Sequence, residues 1–309
     1  MAAETLGRHI DLSSPRGYYF DYSGLAESVA ECDEKGVPAV RVKGGALVCS
    51  PPLAARTALG NLELYLENGN AARRDRFELL SRRLIDSMEV LPGSFGGWSM
   101  PEVPRAFRGD LPQGWFSASA HAECISVLVR AASLLHQKGA LAAAKRAMGA
   151  FYASVDDGGF LREIGEAGDA GVVASLAFIE EYPLPSAPRM ALASHARSIW
   201  AMHDYLSIEE DPGARILLNR CVDGLLFVLD RFDLGYWTCA YLEGQRRRPA
   251  SAGRHGTHVL VMDVLARMTG LAGFAEAGAR WRAYAQDSRK RAKAKLERAR
   301  AALADAGSR

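Results

Sequence analysis

The sequence predicts a mainly α-helical protein of about four helical hairpins, with a short β-rich segment at its N-terminus. Apolar residues recur every three to four positions in paired stretches, the period of an amphipathic helix. The pairs begin near Leu53, Ser117, Met190 and His255, about 65 to 75 residues apart. Between them run loops of roughly 25 to 35 residues, rich in Trp, Tyr, Gly and His, a length that ordered domains keep mainly for function. Repeated helical pairs stack or close into a ring, because each buries a face it could not bury alone. Loops that follow the same helix of each pair then emerge on one side, where a site would be built.

Residues 1–50 read as a separate extended segment and 51–309 as the helical domain. Gly17–Tyr22 and Ala39–Val42 have the aromatic and β-branched content of short strands, with a turn at Lys43-Gly44-Gly45. Pro51-Pro52 marks a helix start, since proline is tolerated in the first turn. The first pair runs from Leu53 to Leu66, stops at Asn68-Gly69-Asn70, and resumes through Phe77, Leu80, Leu84 and Met88. The second covers Ser117–Gln137, a break at Lys138-Gly139, and Leu141–Tyr152. The third is Met190–Ser207, a turn at Glu210-Asp211-Pro212-Gly213, and Ala214–Phe232. The fourth runs His255–Met268, turns at Gly270 and continues from Phe274. Arg289–Arg300, mixing Lys and Arg with Ala, reads as a solvated basic helical extension.

The composition is that of a globular protein, with 49% hydrophobic and 24% charged residues among 309. A formal net charge of +2 argues against nucleic acid as a partner, while an acidic polysaccharide needs only local cations. Five scattered cysteines without C-x-x-C spacing read as small buried hydrophobes. With no signal-like N-terminus and no apolar run of 18 residues to span a membrane, the expected location is the cytoplasm. Walker, GxGxxG and G-x-S-x-G patterns are missing, so no nucleotide cofactor or acyl-serine chemistry is expected.

Three stretches carry candidate chemistry. In Glu180-Glu181-Tyr182-Pro183-Leu184-Pro185 the prolines keep the chain out of a helix and fix two carboxylates and a phenol in a loop. A phenol has a pKa of about 10, so as a base it needs positive charge or donors beside its oxygen. The alternative is a structural tyrosine with hydrogen-bonding glutamates. Gly114-Trp115-Phe116-Ser117-Ala118-Ser119 leads into a helix that Ser117 or Ser119 can cap, followed by His121 and Glu123. Those two lie two apart and do not share a helix face, so they make a poor metal pair. Arg254-His255-Gly256-Thr257-His258 puts a cation and two same-face histidines at a helix start, a donor cluster suited to a carboxylate. HExxH is absent, and no metal is expected. Trp98, Trp115, Phe116, Tyr236 and Trp237 are candidate stacking platforms for sugar rings.

Taken together these segments resemble the C-terminal domain of D-glucuronyl C5-epimerases, which convert glucuronate to iduronate in heparan-type chains. The resemblance rests on Tyr18-Tyr19-Phe20-Asp21-Tyr22, Glu34–Pro38, Ala58-Leu59-Gly60-Asn61, Tyr65–Gly69, Gly114–Ala118, Ile125–Ala131, Glu180–Pro183 and His255–His258, in order. It implies an incomplete α/α toroid with a β-rich N-terminal part, a chain too short for the family's full β-domain, no cofactor, and a possible homodimer. It also implies C5 proton abstraction from glucuronate, with Tyr182 as one acid/base group and Glu181 before it. Tyr241, reached with a one-residue shift, or His121 would be the opposing group. Arg254, His255 and His258 would neutralise the substrate carboxylate, with Trp98, Trp115, Glu123 and Glu180 as further binding residues. The chain departs from the family at Arg254, where a tyrosine is expected, at His121-Ala122-Glu123 in place of Gln-Gly-Gln, and at Cys49-Ser50 and Arg56-Thr57. A lyase, a hydrolase using Glu123 and Glu181, and a non-catalytic polysaccharide-binding protein stay open on the same scaffold.

Overall fold

The computed structural model of the chain describes residues 4–28, 31–90, 93–104, 110–165, 175–185, 188–243 and 247–307. After a one-turn helix α1 (Ser23–Glu27), strands β1 (Ala39–Arg41) and β2 (Leu47–Cys49) pair antiparallel, Val40 opposite Val48. Four helical hairpins follow: α2 (Pro51–Asn68) with α3 (Ala71–Asp86), α4 (Ala118–Leu135) with α5 (Ala140–Tyr152), α6 (Leu192–Leu206) with α7 (Pro212–Val228), and α8 (Ala252–Thr269) with α9 (Ala272–Gln286). Two small sheets lie in the connections, β3 (Glu89–Val90) with β4 (Gly96–Gly97), and β5 (Leu161–Ile164) with β6 (Leu176–Ile179). A 3₁₀ turn, Leu229–Phe232, extends α7, and α10 (Ser288–Gly307) carries the basic C-terminal stretch.

Local chemistry sets the helix limits close to where the sequence put them. Pro51 and Pro52 occupy the first turn of α2, and Gly69 ends it in the left-handed region at φ 68°. Side-chain oxygens of Asn70, Ser117, Asp211 and Ser251 accept from backbone N–H groups in the first turns of α3, α4, α7 and α8. Gly270 ends α8 at φ 69°.

The first helix of each hairpin packs on the first helix of the next: α2 on α4, α4 on α6, α6 on α8. These form the inner layer. In α4 every residue from Ala120 to Ala131 is buried, so this helix has neighbours on all sides. By length and composition α4 could cross a bilayer, against the expectation that no such run exists; 72% of that stretch is buried inside the protein, the setting of a core helix.

A second expectation fails at Gly17–Tyr22, which forms no strand beyond an isolated bridge of Phe20 to Leu6. Its aromatic content serves packing instead. Tyr18, Tyr19 and Phe20 surround Trp200 of α6, with ring centroids 6.3, 4.7 and 5.0 Å away. Beneath them the buried Arg130 of α4 donates both terminal nitrogens to Asp204 of α6 at 2.6 and 3.2 Å and also to the carbonyl of Gly17 at 2.7 Å. This joins two inner helices and the N-terminal segment in one core. None of the five cysteines forms a disulfide, and Cys124, Cys221 and Cys239 are buried.

Candidate functional site

The first turns of α4, α6 and α8 open onto one cavity of about 500 Å³, as expected if equivalent loops emerge on one side. Ser119, Ser194 and Arg254 line it from these turns, Arg56 from α2, and Glu181, Tyr182 and Tyr241 from the connecting loops. Helix N-termini converging on one space favour anions there.

Glu181 already takes one of these positions. Its carboxylate accepts from Ser117 Oγ at 2.6 Å, Ser119 N at 2.8 Å, Ser119 Oγ at 3.1 Å and the Ser194 hydroxyl. With that many donors it acts as an anchor, bridging α4 and α6 and fixing the next residue. Tyr182 then stacks on Trp115 (5.5 Å between centroids) and meets Tyr241 edge-on at 6.3 Å, sharing a hydrogen bond with it. Burial, and then the charge of Glu181, push the Tyr182 phenol well above its usual range, so Tyr182 is a held-on proton. Beside Tyr241 stand the guanidiniums of Arg254 and Arg189, 4.7 and 5.7 Å from its ring.

A second constellation was not read from the sequence. The sixth residue of each inner helix faces the same level: Arg56 in α2, Glu123 in α4, Arg197 in α6 and Thr257 in α8. Glu123 is fully buried and accepts from Arg56 Nε at 2.8 Å, Arg197 Nε at 3.2 Å and Tyr22 OH at 2.8 Å. Glu4 continues the series, accepting from Arg197 Nη2 at 2.7 Å and from Thr257 Oγ1 at 2.6 Å. Four helices are thus joined by an alternation of guanidinium and carboxylate. The signal that could have found it is positional: counting six from each helix start.

The histidines correct the sequence reading. The fourth residue of α4, α6 and α8 is His121, His195 and His255. Each directs Nε2 to a backbone carbonyl 26 residues ahead in the partner helix, Ala147, Cys221 and Trp281, at 2.8 to 2.9 Å. Each also lies against an aromatic ring: His121 near Trp98 at 5.3 Å, His195 on Phe178 at 4.0 Å, His255 on Trp237 at 3.7 Å. Burial lowers all three to a pKa of about 4. They are neutral pins of the repeat. His121 is therefore not the partner of Tyr182, and His255 is not a cation for a carboxylate.

His258 does line the cavity, yet it too is neutral, its pKa pushed down by burial and then by Arg254. Because His255 donates from Nε2, its Nδ1 is an acceptor for Thr238 Oγ1 at 2.9 Å. Thr238 Oγ1 then accepts from His258 Nδ1, also at 2.9 Å, which leaves His258 Nε2 an acceptor. So His258 presents a lone pair where a cation was expected.

Glu180, Trp98 and Glu123 lie outside the cavity lining. Glu180 is buried on Arg162, which donates at 2.8 Å, and its carboxyl is pushed up by burial against the pull of that guanidinium. Trp98 and Trp115 are both buried, with indole N–H groups on the carbonyls of Leu84 and Glu102. Trp237 is buried likewise, donating to Ala250 O at 3.0 Å. None of the three is a free stacking surface, because aromatic loops this long must be packed to be ordered. Of the expected site residues the fold brings Tyr182, Tyr241, Glu181, Arg254 and His258 to one cavity.

No curated protein matches the chain. A profile of the D-glucuronyl C5-epimerase C-terminus matches residues 93–283, which include α4 to α8, all of α9 but its last turn, and all of the cavity wall except Glu4 and Arg56. That match spans more than half the sequence, and with it the chain belongs to the D-glucuronyl C5-epimerase C-terminal family.

Proposed function

We propose that the protein epimerises glucuronate units of an acidic polysaccharide at C5, by proton abstraction and return. Family membership supports a carbohydrate-epimerase kind of activity. The observation that carries the finer reading is the pair of phenols, Tyr182 and Tyr241, meeting at 6.3 Å on the wall of a sugar-sized cavity with Arg254 over one of them.

The C5 hydrogen lies beside a carboxylate, so its removal as a proton places negative charge on that group. The sugar enters between the phenols and replaces their mutual hydrogen bond. Tyr241, acting as a phenolate with the Arg254 and Arg189 guanidiniums beside its ring, takes the C5 proton and hands it on to Tyr182 once the product has left. The charge formed on the sugar is spread onto its carboxylate, which the guanidiniums at the cavity neutralise. Tyr182, which burial keeps protonated, returns a proton to C5 from the opposite side. One proton leaves and one arrives, and no bond of the polymer chain is broken.

Incubation with a glucuronate polymer in deuterated water tests this. The wild-type protein should place deuterium at C5, and Tyr182→Phe and Tyr241→Phe should each lower the rate by at least about 100-fold. Absence of exchange on every uronate polymer tried would remove the reading. Hydrolysis by Glu123 and Glu181 loses support, because one is enclosed by Tyr22, Arg56 and Arg197 and the other by serine donors.

A further inference from the structure

We propose that the notch between Arg197 and Thr257 is a carboxylate-binding subsite, and that Glu4 fills it until an acidic ligand takes its place. In the series of sixth residues, Glu123 is a carboxylate supplied by an inner helix and held between two guanidiniums. At the next level position, between α6 and α8, the helix contributes only Thr257. The carboxylate there comes from Glu4, on an extended N-terminal segment whose side chain is 25% exposed, against 0% for Glu123. Glu123 cannot leave without moving α4. Glu4 lies on non-helical chain just before Thr5, whose carbonyl accepts from Asp21 N at 2.9 Å, so its side chain can swing out without moving a helix.

Charge makes the site selective. Arg56 and Arg197 face Glu123 and Glu4, two positive and two negative groups. Arg197 is 6% exposed. Removing Glu4 leaves its guanidinium sharing one carboxylate with Arg56, an uncompensated charge away from water. A carboxylate ligand restores the balance and accepts the two donors, Arg197 Nη2 and Thr257 Oγ1, that Glu4 uses. A neutral sugar can accept from those donors through its hydroxyls, but it leaves the guanidinium charge uncompensated. Arg56, Arg197, Thr257 and Glu4 line the same cavity as the phenol pair.

The choice of a uronate as ligand rests on the proposed function; the exchange of carboxylates does not. Calorimetry with sodium glucuronate, and with glucose as the neutral control, tests it on wild-type protein and Glu4→Ala. Removing the internal competitor should tighten glucuronate binding roughly tenfold and leave glucose unchanged. In the Glu4→Ala background, Thr257→Val should abolish most of that gain, while circular dichroism reports an unchanged fold. Equal glucuronate affinity with and without Glu4, an equal gain for glucose, or no glucuronate binding by either protein would overturn the subsite. C5 exchange measured on the same proteins separates the two claims. A glucuronate gain without exchange keeps the subsite and removes the epimerase, and exchange without any Glu4 effect does the reverse.

Discussion

His195 fastens three elements of the fold, and it does so as a neutral ring. Its Nδ1 accepts from Ile179 N at 2.9 Å and its Nε2 donates to Cys221 O at 2.9 Å, so one side chain fastens β6, α6 and α7 together. His195→Ala would orphan both backbone groups and open a cavity, at a cost of roughly 3 to 5 kcal/mol in urea denaturation. A loss under 1 kcal/mol would show that the pin is dispensable. The same logic separates His255 from His258. Three residues apart on a helix, they share a face, and spacing alone makes them a pair with one role. Their surroundings divide them: His255 lies on Trp237 and ends on Trp281 O, while His258 borders the cavity.

At the scale of elements, close approach is set by glycine. A Cβ on Gly224 of α7 would come within 2.2 Å of the Ala177 carbonyl in β6, and one on Gly60 of α2 within 2.1 Å of the Tyr22 carbonyl. Gly224→Ala and Gly60→Ala should each destabilise by about 1 to 3 kcal/mol, although alanine is the better helix former. Gly256 of α8 has nothing within 4 Å of such an atom. Gly256→Ala should therefore stabilise by up to about 1 kcal/mol. Thermal melts of the three variants check the sign, and a stabilised Gly224→Ala would mean that α7 is not seated on β6. Helix positions were legible in the sequence because caps, prolines and apolar period act locally. The strand expected at Gly17–Tyr22 was not, since a run of aromatics fits a strand face or a core equally well, and Trp200 decides between them.

Across the whole molecule, buried charge and buried neutral histidine make stability depend on pH and on single ion pairs. His121, His195 and His255 titrate near pH 4 when folded, below the ordinary 6.5. As pH falls through 6.5 the unfolded chain binds these protons first, so stability is intact above 6.5 and is lost between 6.5 and 4. Each contributes a loss on the order of 3 kcal/mol by pH 4. Chemical denaturation midpoints should drop steeply across that window, and a flat profile between pH 7 and 4.5 would contradict the neutral assignment. The Arg130–Asp204 pair, 1% and 2% exposed, makes the matching case for charge. Asp204→Ala should cost about 3 to 5 kcal/mol, because it leaves a guanidinium buried without its partner. A loss below 1 kcal/mol on denaturation would mean that the arginine finds water.

The sequence by itself determined the four hairpins, their turns and the phenol at Tyr182, because periodicity, caps and prolines act over a few residues and need no distant partner. It also carried the family's order of segments. Only the tertiary structure decided which residues share the cavity. Arg56, Arg197, Thr257 and Glu4 are separated by up to 253 residues and meet because four inner helices start at one level. His121 and Trp98 are withdrawn from it for the same reason: a side chain's role follows from which neighbours remove it from water, and those neighbours belong to other hairpins.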